Sequence, residues 1–435
     1  MTTKNNSGLV KQLTSDVARN KLSRREFMRY AVATGMSVAG ASALFNSAYA
    51  STPNRGGTFR LGSFDGNTTD THDPGTYISF NTIQLAFTFR SYLTSVTPDN
   101  TLGPDLARSW SASDDASEWT FELSKDAVFH SGRKVTADDV IATINHHRGE
   151  NSTSAVTALF QTVTEVKKNN DYSITCKLNQ GSADFPWLFT DYHTAVCPAN
   201  PDGTIDWQSG DGSGPYKLNH NEFGVSHSLT RHEDWHDIDS GAYFDAIEIT
   251  VLNDPNARQT ALVTHDVDAI SAIELKTMAL LKRNPDIEID NVPGGGAITM
   301  PMHCNKAPFD NYDVRMALKL AIDRQELIDK IAFGAATIGN DHHISPALPY
   351  WPDDIPQRQY DPEKAKYHLK KAGMDGLSVQ MHTADIVYSG AVDLCVLYSE
   401  QAKAAGIDME VVRHPNDGFW SRVWMVEPFS IAQWG

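Results

Sequence analysis

The sequence predicts a mixed α/β protein built from two or three domains. Strand-like segments, in which apolar residues alternate, are interleaved along the chain with helix-like segments, in which apolar residues recur every three or four positions. This interleaving is typical of α/β lobes and differs from the succession of strands in a β-sandwich. Residues 51–435 provide enough chain for two or three domains of ordinary size.

The first 50 residues have the three parts of a bacterial export signal. A polar, basic stretch ends in S-R-R-E-F-M, which contains Arg24 and Arg25, and an apolar run rich in alanine and glycine follows. Small residues at Ala48 and Ala50 form an A-x-A processing site. The twin arginines and the modest hydrophobicity predict export by the twin-arginine machinery, with cleavage after Ala50. The alternative is a chance pair of arginines in an unstructured tail.

The charge of the chain restricts its partners. The formal net charge is −17 at pH 7, and the predicted leader is basic, so the remainder is more acidic still. Such a surface repels nucleic acid and anionic lipid, and it favours a soluble monomer. No apolar run after the leader approaches the length that spans a bilayer.

The four cysteines, at positions 176, 197, 304 and 395, have no C-x-x-C spacing, so a zinc ribbon or a thioredoxin-like motif is not expected. Cys176 and Cys197 lie in neighbouring strand-like runs. In an oxidising compartment they could form a disulfide, and the alternative is two separate buried thiols.

Local signals mark the elements of the first half of the chain. Residues 56–64 alternate apolar side chains and predict the first strand. A second strand is predicted from one face with three apolar side chains, Trp119, Phe121 and Leu123. Thr136 and Asp139 form a T-x-x-D capping box at the start of an apolar helix. Residues 243–270 predict a strand, an Asn-Asp-Pro turn and a helix.

Two helices of the second half are predicted with defined ends. One covers residues 311–334, with Asp313 as the N-cap and Gly334 at its end. The other has Asp361 as the N-cap, Pro362 at the first helical position and Gly373 just beyond the C-cap. Residues 393–413 then predict a further helix followed by a strand.

The sequence predicts no catalytic residue, no metal and no cofactor. Residues 65–76 begin like a calcium loop, but Asp70 stands where the loop needs glycine and Thr76 stands where it needs glutamate. The chain contains neither G-x-S-x-G nor H-E-x-x-H. Neighbouring side chains point in different directions, so solvated side chains rather than metal ligands are predicted for two histidine pairs, His146–His147 and His342–His343.

Four blocks, in order along the chain, together resemble a known family. The first runs from L-G-P-D-L-A-R-S-W at residue 102, through W-T-F-E-L and F-H-S-G, to T-A-D-D-V. G-S-G-P-Y-K-L at 212, A-P-F-D-N-Y-D-V-R-M-A-L-K-L-A-I-D-R-Q-E-L-I-D at 307 and Y-D-P-E-K-A-K-Y-H-L-K-K-A-G at 360 follow. In order and approximate spacing they resemble family 5 extracytoplasmic solute-binding proteins, the dipeptide- and oligopeptide-binding components of ABC importers.

The resemblance implies a two-lobe periplasmic binding protein fold of the class II type, with an extra domain in the first lobe and a ligand cleft between the lobes. It implies that the protein captures a peptide or related small solute in the periplasm and passes it to an ABC permease complex in the inner membrane, without catalysis. The expected division is a signal peptide at 1–50, a first lobe at 51–90 and 211–270, an extra domain at 91–210 and a second lobe at 271–435.

The sequence departs from the family pattern in two places. Relatives continue well beyond the position of Gly435, so the second lobe is expected to be incomplete at its C-terminus. Dipeptide-binding relatives also carry an arginine that grips the peptide carboxylate, and residues 381–390, M-H-T-A-D-I-V-Y-S-G, contain none. A longer peptide, an amide or another small solute therefore stays open.

Five residues are candidates for solute contact. The resemblance places Trp434 where relatives carry an aromatic residue beside the ligand. Thr68, Thr69 and Asp70 follow the first strand, and loops at strand ends line the clefts of α/β proteins; the alternative is a solvated loop. Asn305 follows the predicted hinge strand and could face the cleft or make a structural hydrogen bond. An exported peptide or amide hydrolase, and a sensor or chaperone that uses the same fold without transport, remain alternatives because fold does not fix function.

Overall fold

The computed structural model describes residues 53–98, 101–291, 296–342, 344–346, 351–352 and 354–434, together with scattered positions between residues 13 and 45. Of the predicted leader features, Ala48 and Ala50 lie outside the described residues, while Arg24 and Arg25 begin a helix. Export and cleavage therefore stay predictions. None of the described helices is long and apolar enough to cross a membrane.

The described residues form helices and strands with the following bounds. In chain order, helices α1 to α11 are Arg24–Ala33, Phe80–Phe89, Ala137–His146, Thr157–Phe160, Pro255–Val263, Met278–Leu281, Tyr312–Leu320, Arg324–Lys330, Pro362–Lys371, Ala391–Lys403 and Phe419–Arg422. Strands β1 to β15 are Thr58–Ser63, Thr94–Val96, Leu102–Pro104, Ala107–Ala112, Glu118–Leu123, Val163–Asn170, Ser173–Leu178, Tyr216–Glu222, Ser226–Arg231, Ala246–Val251, Ala269–Ile270, Ala297–Thr299, Leu377–Thr383, Ile407–Arg413 and Ala432–Trp434. Short 3-10 helices are Pro74–Thr76, Phe185–Thr190, Tyr192–Thr194, Ile238–Ser240 and Leu275–Thr277.

The first lobe is built on a five-stranded sheet of order β11-β1-β10-β9-β8. The predicted first strand is β1, which runs parallel to β10 and β11, whereas β8, β9 and β10 pair antiparallel. Helix α2 packs on this sheet through Leu85 and Phe89, in one apolar cluster with Leu229 and Ile249. Because β1, β10 and β11 are parallel, their carboxyl ends lie at one edge of the sheet, the edge at which α/β proteins place ligand sites.

A four-stranded antiparallel sheet, of order β4-β5-β7-β6, lies between the segments of the first lobe in sequence. The predicted apolar face of β5 is confirmed, since Trp119, Phe121 and Leu123 are all buried in one core. The predicted capping box at the start of α3 is confirmed as well, with Thr136 and Asp139 each bonded to the other's backbone N–H. The boundaries of the extra domain stay a prediction.

Chain segments on either side of the antiparallel sheet touch each other at two glycines. A Cβ atom at Gly212 would lie 2.0 Å from the carbonyl oxygen of Phe89, and one at Gly214 would lie 2.6 Å from the amide nitrogen of Arg90. The N–H of Gly214 also donates to the carbonyl of Phe89 over 3.0 Å. These positions need glycine because the backbones pass too closely for any side chain.

The second lobe contains the parallel pair β13 and β14, joined by α10. This is the helix-then-strand pattern predicted for residues 393–413. Helices α7, α9 and α10 enclose the pair in an apolar core to which Leu318, Leu369, Leu394 and Met381 contribute. At the C-terminal end, β15 pairs antiparallel with β12 and sets Trp434 opposite Ala297.

The predicted helix 311–334 is wrong in its N-cap. Asn311 is the N-cap of α7, because its side chain accepts from the N–H of Asp313 at 2.8 Å. The Asp313 carboxylate instead binds helix α9, at 2.7 Å from His368 Nδ1 and 3.2 Å from Lys371 Nζ. The predicted N-cap of α9 is confirmed, because Asp361 accepts from the N–H of Lys364, and Gly373 has a left-handed φ of 80° just beyond the C-cap.

The prediction of one continuous helix over residues 311–334 is also wrong, because the structure divides this segment into α7 and α8. Asp323 caps α8 by accepting from the N–H of Glu326. Gln401 of α10 binds both the N–H and the carbonyl of Asp323, at 2.9 and 3.3 Å. The carbonyl of Leu320 receives the N–H of Asp361 from another segment. Tertiary contacts thus take the place of the intrahelical bonds at the break.

The structure decides between the two alternatives for the cysteines and corrects the prediction for one histidine. Cys176 and Cys197 are separate buried thiols and do not form a disulfide. Burial raises the pKa of Cys176 to about 12. His146 contacts Asp73 at 2.7 Å, and His147 is buried against Ser154 at 2.8 Å, so the prediction of solvated histidines is wrong for His147. His343 lies outside the described residues.

Candidate functional site

The loop that follows β1, residues 64–70, is ordered by its own polar groups. We call it the first loop. The Asp65 backbone has a φ of 61°, and its side chain accepts from the N–H of Phe80 at the start of α2, over 2.8 Å. Asp70 accepts from the N–H of Asn67 at 2.9 Å and from the Ser79 hydroxyl at 2.8 Å. Both carboxyl groups are therefore held against the start of α2.

The segment that follows β14, residues 414–420, forms the second loop. Gly418 turns the chain with a left-handed φ of 77°, a conformation that glycine adopts without strain. Phe419 is buried in the core of the second lobe, which anchors the start of α11 and leaves Trp420 partly exposed beside it. The loop therefore presents Asp417 and Trp420 from the carboxyl end of a strand of the second lobe.

The two loops contact each other between the lobes. The indole Nε1 of Trp420 donates to Asp65 Oδ1 over 2.6 Å. The Asp417 carboxylate accepts from both the N–H and the hydroxyl of Thr68, each at 3.2 Å. The N–H of Gly418 lies 3.4 Å from Asn67 Oδ1. Each loop follows the carboxyl end of a parallel strand, so the contact lies where α/β lobes place ligand sites.

This contact is acidic. Burial raises the pKa of Asp65 to about 8, although the N–H donors of Phe80 and Trp420 act in the opposite direction. The pKa of Asp70 is likewise raised to about 6, mainly by burial, and the charge of Asp417 acts in the same direction. The hydrogen-bond partners of Asp65 and Asp70 in the described chain are backbone N–H groups and neutral side chains.

A row of three tryptophans leads away from the contact along the second lobe. The rings of Trp420 and Trp424 meet edge to face with centroids 6.3 Å apart, and those of Trp424 and Trp434 do so at 5.4 Å. The indole N–H of Trp434 donates to the hydroxyl of Thr299 over 2.7 Å, which fixes the ring. Trp434 remains 46% exposed, so its ring offers a rigid apolar surface.

The structure brings some of the predicted site residues together and leaves one apart. Thr68 lies in the contact between the loops, exposed Thr69 is next to it, and Asp70 is part of the same loop. Trp434 joins the second loop through the tryptophan row. Asn305 lies in an exposed turn and makes no side-chain hydrogen bond within the described chain.

Four residues of the site were not predicted from the sequence: Asp65, Asp417, Trp420 and Trp424. Asp65 lies two residues after the end of β1, and N-D-G at 416–418 begins three residues after the end of β14, so each marks a strand end. The rule that predicted Thr68, Thr69 and Asp70 from the end of β1 could have found the second loop from the end of β14. Nothing in the sequence pairs Asp65 with a tryptophan 355 positions away.

One cluster in the described chain has metal-binding side chains. Ligand atoms of Asp105, His236 and Asp237 lie within 4.8 Å of one another. Arg108 already binds Asp237, at 3.0 and 3.2 Å, and His236 Nε2 lies 2.9 Å from Asp105 Oδ1. These two pairs tie the β3–β4 connection and strand β4 to the segment that carries His236 and Asp237.

Comparison with known proteins agrees with this architecture. The profile described as "Bacterial extracellular solute-binding proteins, family 5 Middle" matches residues 101–435. Among solved structures, the periplasmic binding protein DppA of Helicobacter pylori with the peptide STSA superposes with a TM-score of 0.78 at 20% identity, over 88% of this chain and 78% of that one. AgaA of A. tumefaciens R10 with agropinic acid gives 0.77 at 20% identity, over 87% and 77%.

Curated relatives are similar in sequence over most of the chain. Heme-binding protein A of Haemophilus influenzae is 27% identical over 62% of this chain and 53% of its own length. The nickel-binding periplasmic protein of Escherichia coli is 27% identical over 63% and 54%, and the dipeptide-binding protein of the same organism is 24% identical over 64% and 56%. The chain thus spans about half the length of the curated relatives it matches.

The sheets, the loop contact and the structural matches together define a two-lobe α/β fold of the periplasmic binding protein type. Within this class, the chain belongs to family 5 of the bacterial extracellular solute-binding proteins.

Proposed function

We propose that this chain acts as the periplasmic substrate-binding component of an ABC importer, which captures a peptide or a related small solute between its lobes and delivers it to a permease complex in the inner membrane. The observation that supports this most is the meeting of the two loops at the carboxyl ends of parallel strands from both lobes. Closure of two lobes around a bound molecule is an established way to capture solutes. The bound solute leaves chemically unchanged.

The chemistry of the contact favours particular solutes. The carboxyl groups of Asp65, Asp70 and Asp417 favour donors such as amines and amide N–H groups, and the tryptophan row favours an apolar or planar portion. Within this site we propose Thr68, Thr69, Asp70 and Trp434 as contacts. We also propose Asn305, whose exposed side chain is free to turn toward a bound solute.

The experiment is a thermal-shift screen of the full chain against four probe classes: di- to oligopeptides, agropinic and mannopinic acids, nickel–histidine and heme. These are the ligands in the names of its relatives. A binding solute should raise the melting temperature in proportion to the logarithm of its concentration above Kd. Mass spectrometry of the recovered solute should show no change. A new mass would support the hydrolase instead.

Transport separates the receptor from a sensor or chaperone. Deletion of the gene should abolish uptake of the solute found in the screen, and a complementing copy should restore it. Normal uptake in the deletion strain would favour the non-transport function. Light scattering should give the mass of a monomer, because the strongly acidic surface opposes self-association.

Export by the twin-arginine machinery is tested separately. A double substitution of Arg24 and Arg25 to lysine should leave the protein in the cytoplasm with its leader intact. The matched control is the double substitution of Lys4 and Lys11 to arginine, which keeps the charge of the leader and leaves its motif unchanged. Unaltered export of the first variant would contradict the proposed route.

A further inference from the structure

Among the hydrogen bonds between the two loops, the buried one from Trp420 to Asp65 contributes most to the contact between the lobes. Asp65 is 3% exposed, and one of its oxygens is satisfied within the first lobe by the N–H of Phe80. The indole of Trp420, from the second lobe, covers the other oxygen. The contact between Thr68 and Asp417 is exposed, and exposed hydrogen bonds contribute little because water replaces them.

We infer that Asp65 and Trp420 are positioning residues that hold the lobes closed and couple their closure to uptake of a proton by Asp65. This inference goes beyond the proposed function, because it concerns the lobes in the absence of any solute. Its tests therefore need no ligand, and they can fail while solute binding stands, or succeed while it fails.

The surroundings of Asp65 explain why closure takes up a proton. Asp70 on the same loop brings negative charge toward it, and Asp417 on the second loop does the same to Asp70. The basic side chains on the adjoining helices are occupied elsewhere, since Arg258 on α5 donates to the carbonyl of Ala272 and Arg422 on α11 donates to the carbonyl of Asp417. A buried carboxylate without a cationic partner is unstable relative to its protonated form.

The direction of the pH dependence follows. In the closed lobes, burial raises the pKa of Asp65 to about 8. When Trp420 moves away, water reaches the carboxyl group and its pKa returns toward the ordinary value near 4. The closed form therefore binds more protons, so closure is strongest at low pH and weakens as pH rises toward about 8, by at most about tenfold in the closed-to-open ratio per pH unit.

The test measures closure directly in the ligand-free full chain. Small-angle scattering should give a radius of gyration that increases from pH 5.5 to pH 8.5 at constant ionic strength. With ¹⁵N-labelled tryptophan, the indole resonance that disappears in Trp420→Phe should shift with pH and have a midpoint well above 4. Circular dichroism at each pH confirms that the chain stays folded.

Three variants separate positioning from a purely structural role. Asp65→Asn keeps an oxygen for the indole but cannot titrate. Its radius should change little above pH 7, where Asp70, with a pKa raised to about 6, is already ionised, whereas the wild-type radius should keep increasing toward pH 8. Trp420→Phe should lower the closed-to-open ratio roughly two- to tenfold at every pH, since it loses one hydrogen bond and keeps an aromatic ring. The control is Asp268→Asn, because Asp268 is a first-lobe carboxylate that pairs with Arg60 away from the second lobe. It should titrate like the wild type.

Two results would overturn the inference. One is a wild-type radius and a Trp420 indole resonance that do not change between pH 5.5 and 8.5. The other is an Asp65→Asn variant whose radius follows the same pH profile as that of the wild type. If Asp65→Asn does not fold, the wild-type indole titration decides alone.

Discussion

The substitution Asp139→Ala tests how the start of helix α3 is held to the segments that carry Arg133 and Ala199. The Asp139 side chain is fully buried and accepts from the N–H of Thr136 at 2.8 Å and from the N–H of Ala199 at 2.7 Å. It also binds Arg133 at 2.6 Å. One carboxylate therefore caps the helix, fixes the 199–203 loop and neutralises an arginine.

The magnitude follows from these contacts. A hydrogen bond from a backbone N–H to a buried charged group contributes about 1.5–3 kcal/mol, and Asp139 receives two of them. The pair with Arg133 adds at most about 1 kcal/mol, because the arginine is 44% exposed and water screens it. We therefore expect Asp139→Ala to lower the free energy of unfolding by about 3 kcal/mol or more, at the upper end for single substitutions.

The assay is urea unfolding of the full chain, followed by circular dichroism and tryptophan fluorescence. The neighbouring residue provides the control, since Asp138 is exposed and binds only surface groups such as Lys168. Asp138→Ala should cost no more than about 0.5 kcal/mol. If the two alanine variants unfold at the same urea concentration, the buried carboxylate does not have the role described.

Three further outcomes are expected. Trp434→Ala should weaken binding of the solute found in the screen several-fold or more, as measured by equilibrium titration, because a rigid exposed aromatic ring often contributes much of the binding energy. The control is Trp187→Ala, at an exposed ring of the 3-10 helix Phe185–Thr190, which should leave the affinity unchanged. Gly212→Ala should lower the melting temperature by several degrees, since the new methyl would lie 2.0 Å from a carbonyl oxygen. The control is Gly339→Ala, which should melt within about a degree or two of the wild type because its methyl would have its closest contact at 3.5 Å. In the native protein at pH 8 a thiol reagent should label the exposed Cys304 rapidly and label all four thiols in urea; rapid native labelling of more than one would contradict the burial described for Cys176, Cys197 and Cys395.

Local chemistry made part of the fold predictable. The capping box at Thr136 and Asp139 and the cap at Asp361 are correct because each is complete within four residues. The N-cap of α7 could not be chosen from the sequence, since Asn and Asp are both good N-cap residues. In the structure the Asp313 carboxylate binds the distant His368, and Asn311 caps the helix. The break at Asp323 has a local signal, D-R-Q-E at 323–326, which is typical of a helix start. The apolar pattern that continues through this position hides that signal, and the bonds from Gln401 that compensate for the break are not visible in the sequence.

In the candidate site, too, features set by neighbouring residues could be predicted, and features set by distant contacts could not. The loop after β1 could be predicted, because a strand followed by a polar loop is visible in the sequence. The partner of that loop could not, since Asp65 and Trp420 are joined only when two lobes meet. Burial of Asp65 is likewise a property of the assembled lobes, and an aspartate in a polar loop gives no sign that its pKa is raised.

The close passage of Gly212 and Gly214 against Phe89 and Arg90 limits how the molecule can move. The two backbone segments are in direct contact here, and the buried guanidinium of Arg90 lies beside them. This close packing leaves no space for the antiparallel sheet to rotate relative to the five-stranded sheet. That sheet and the five-stranded sheet should therefore travel as one rigid body during opening. Bending is then expected in the chain segments that join the two lobes, where a mutation far from the solute could still alter how quickly the protein captures and releases it.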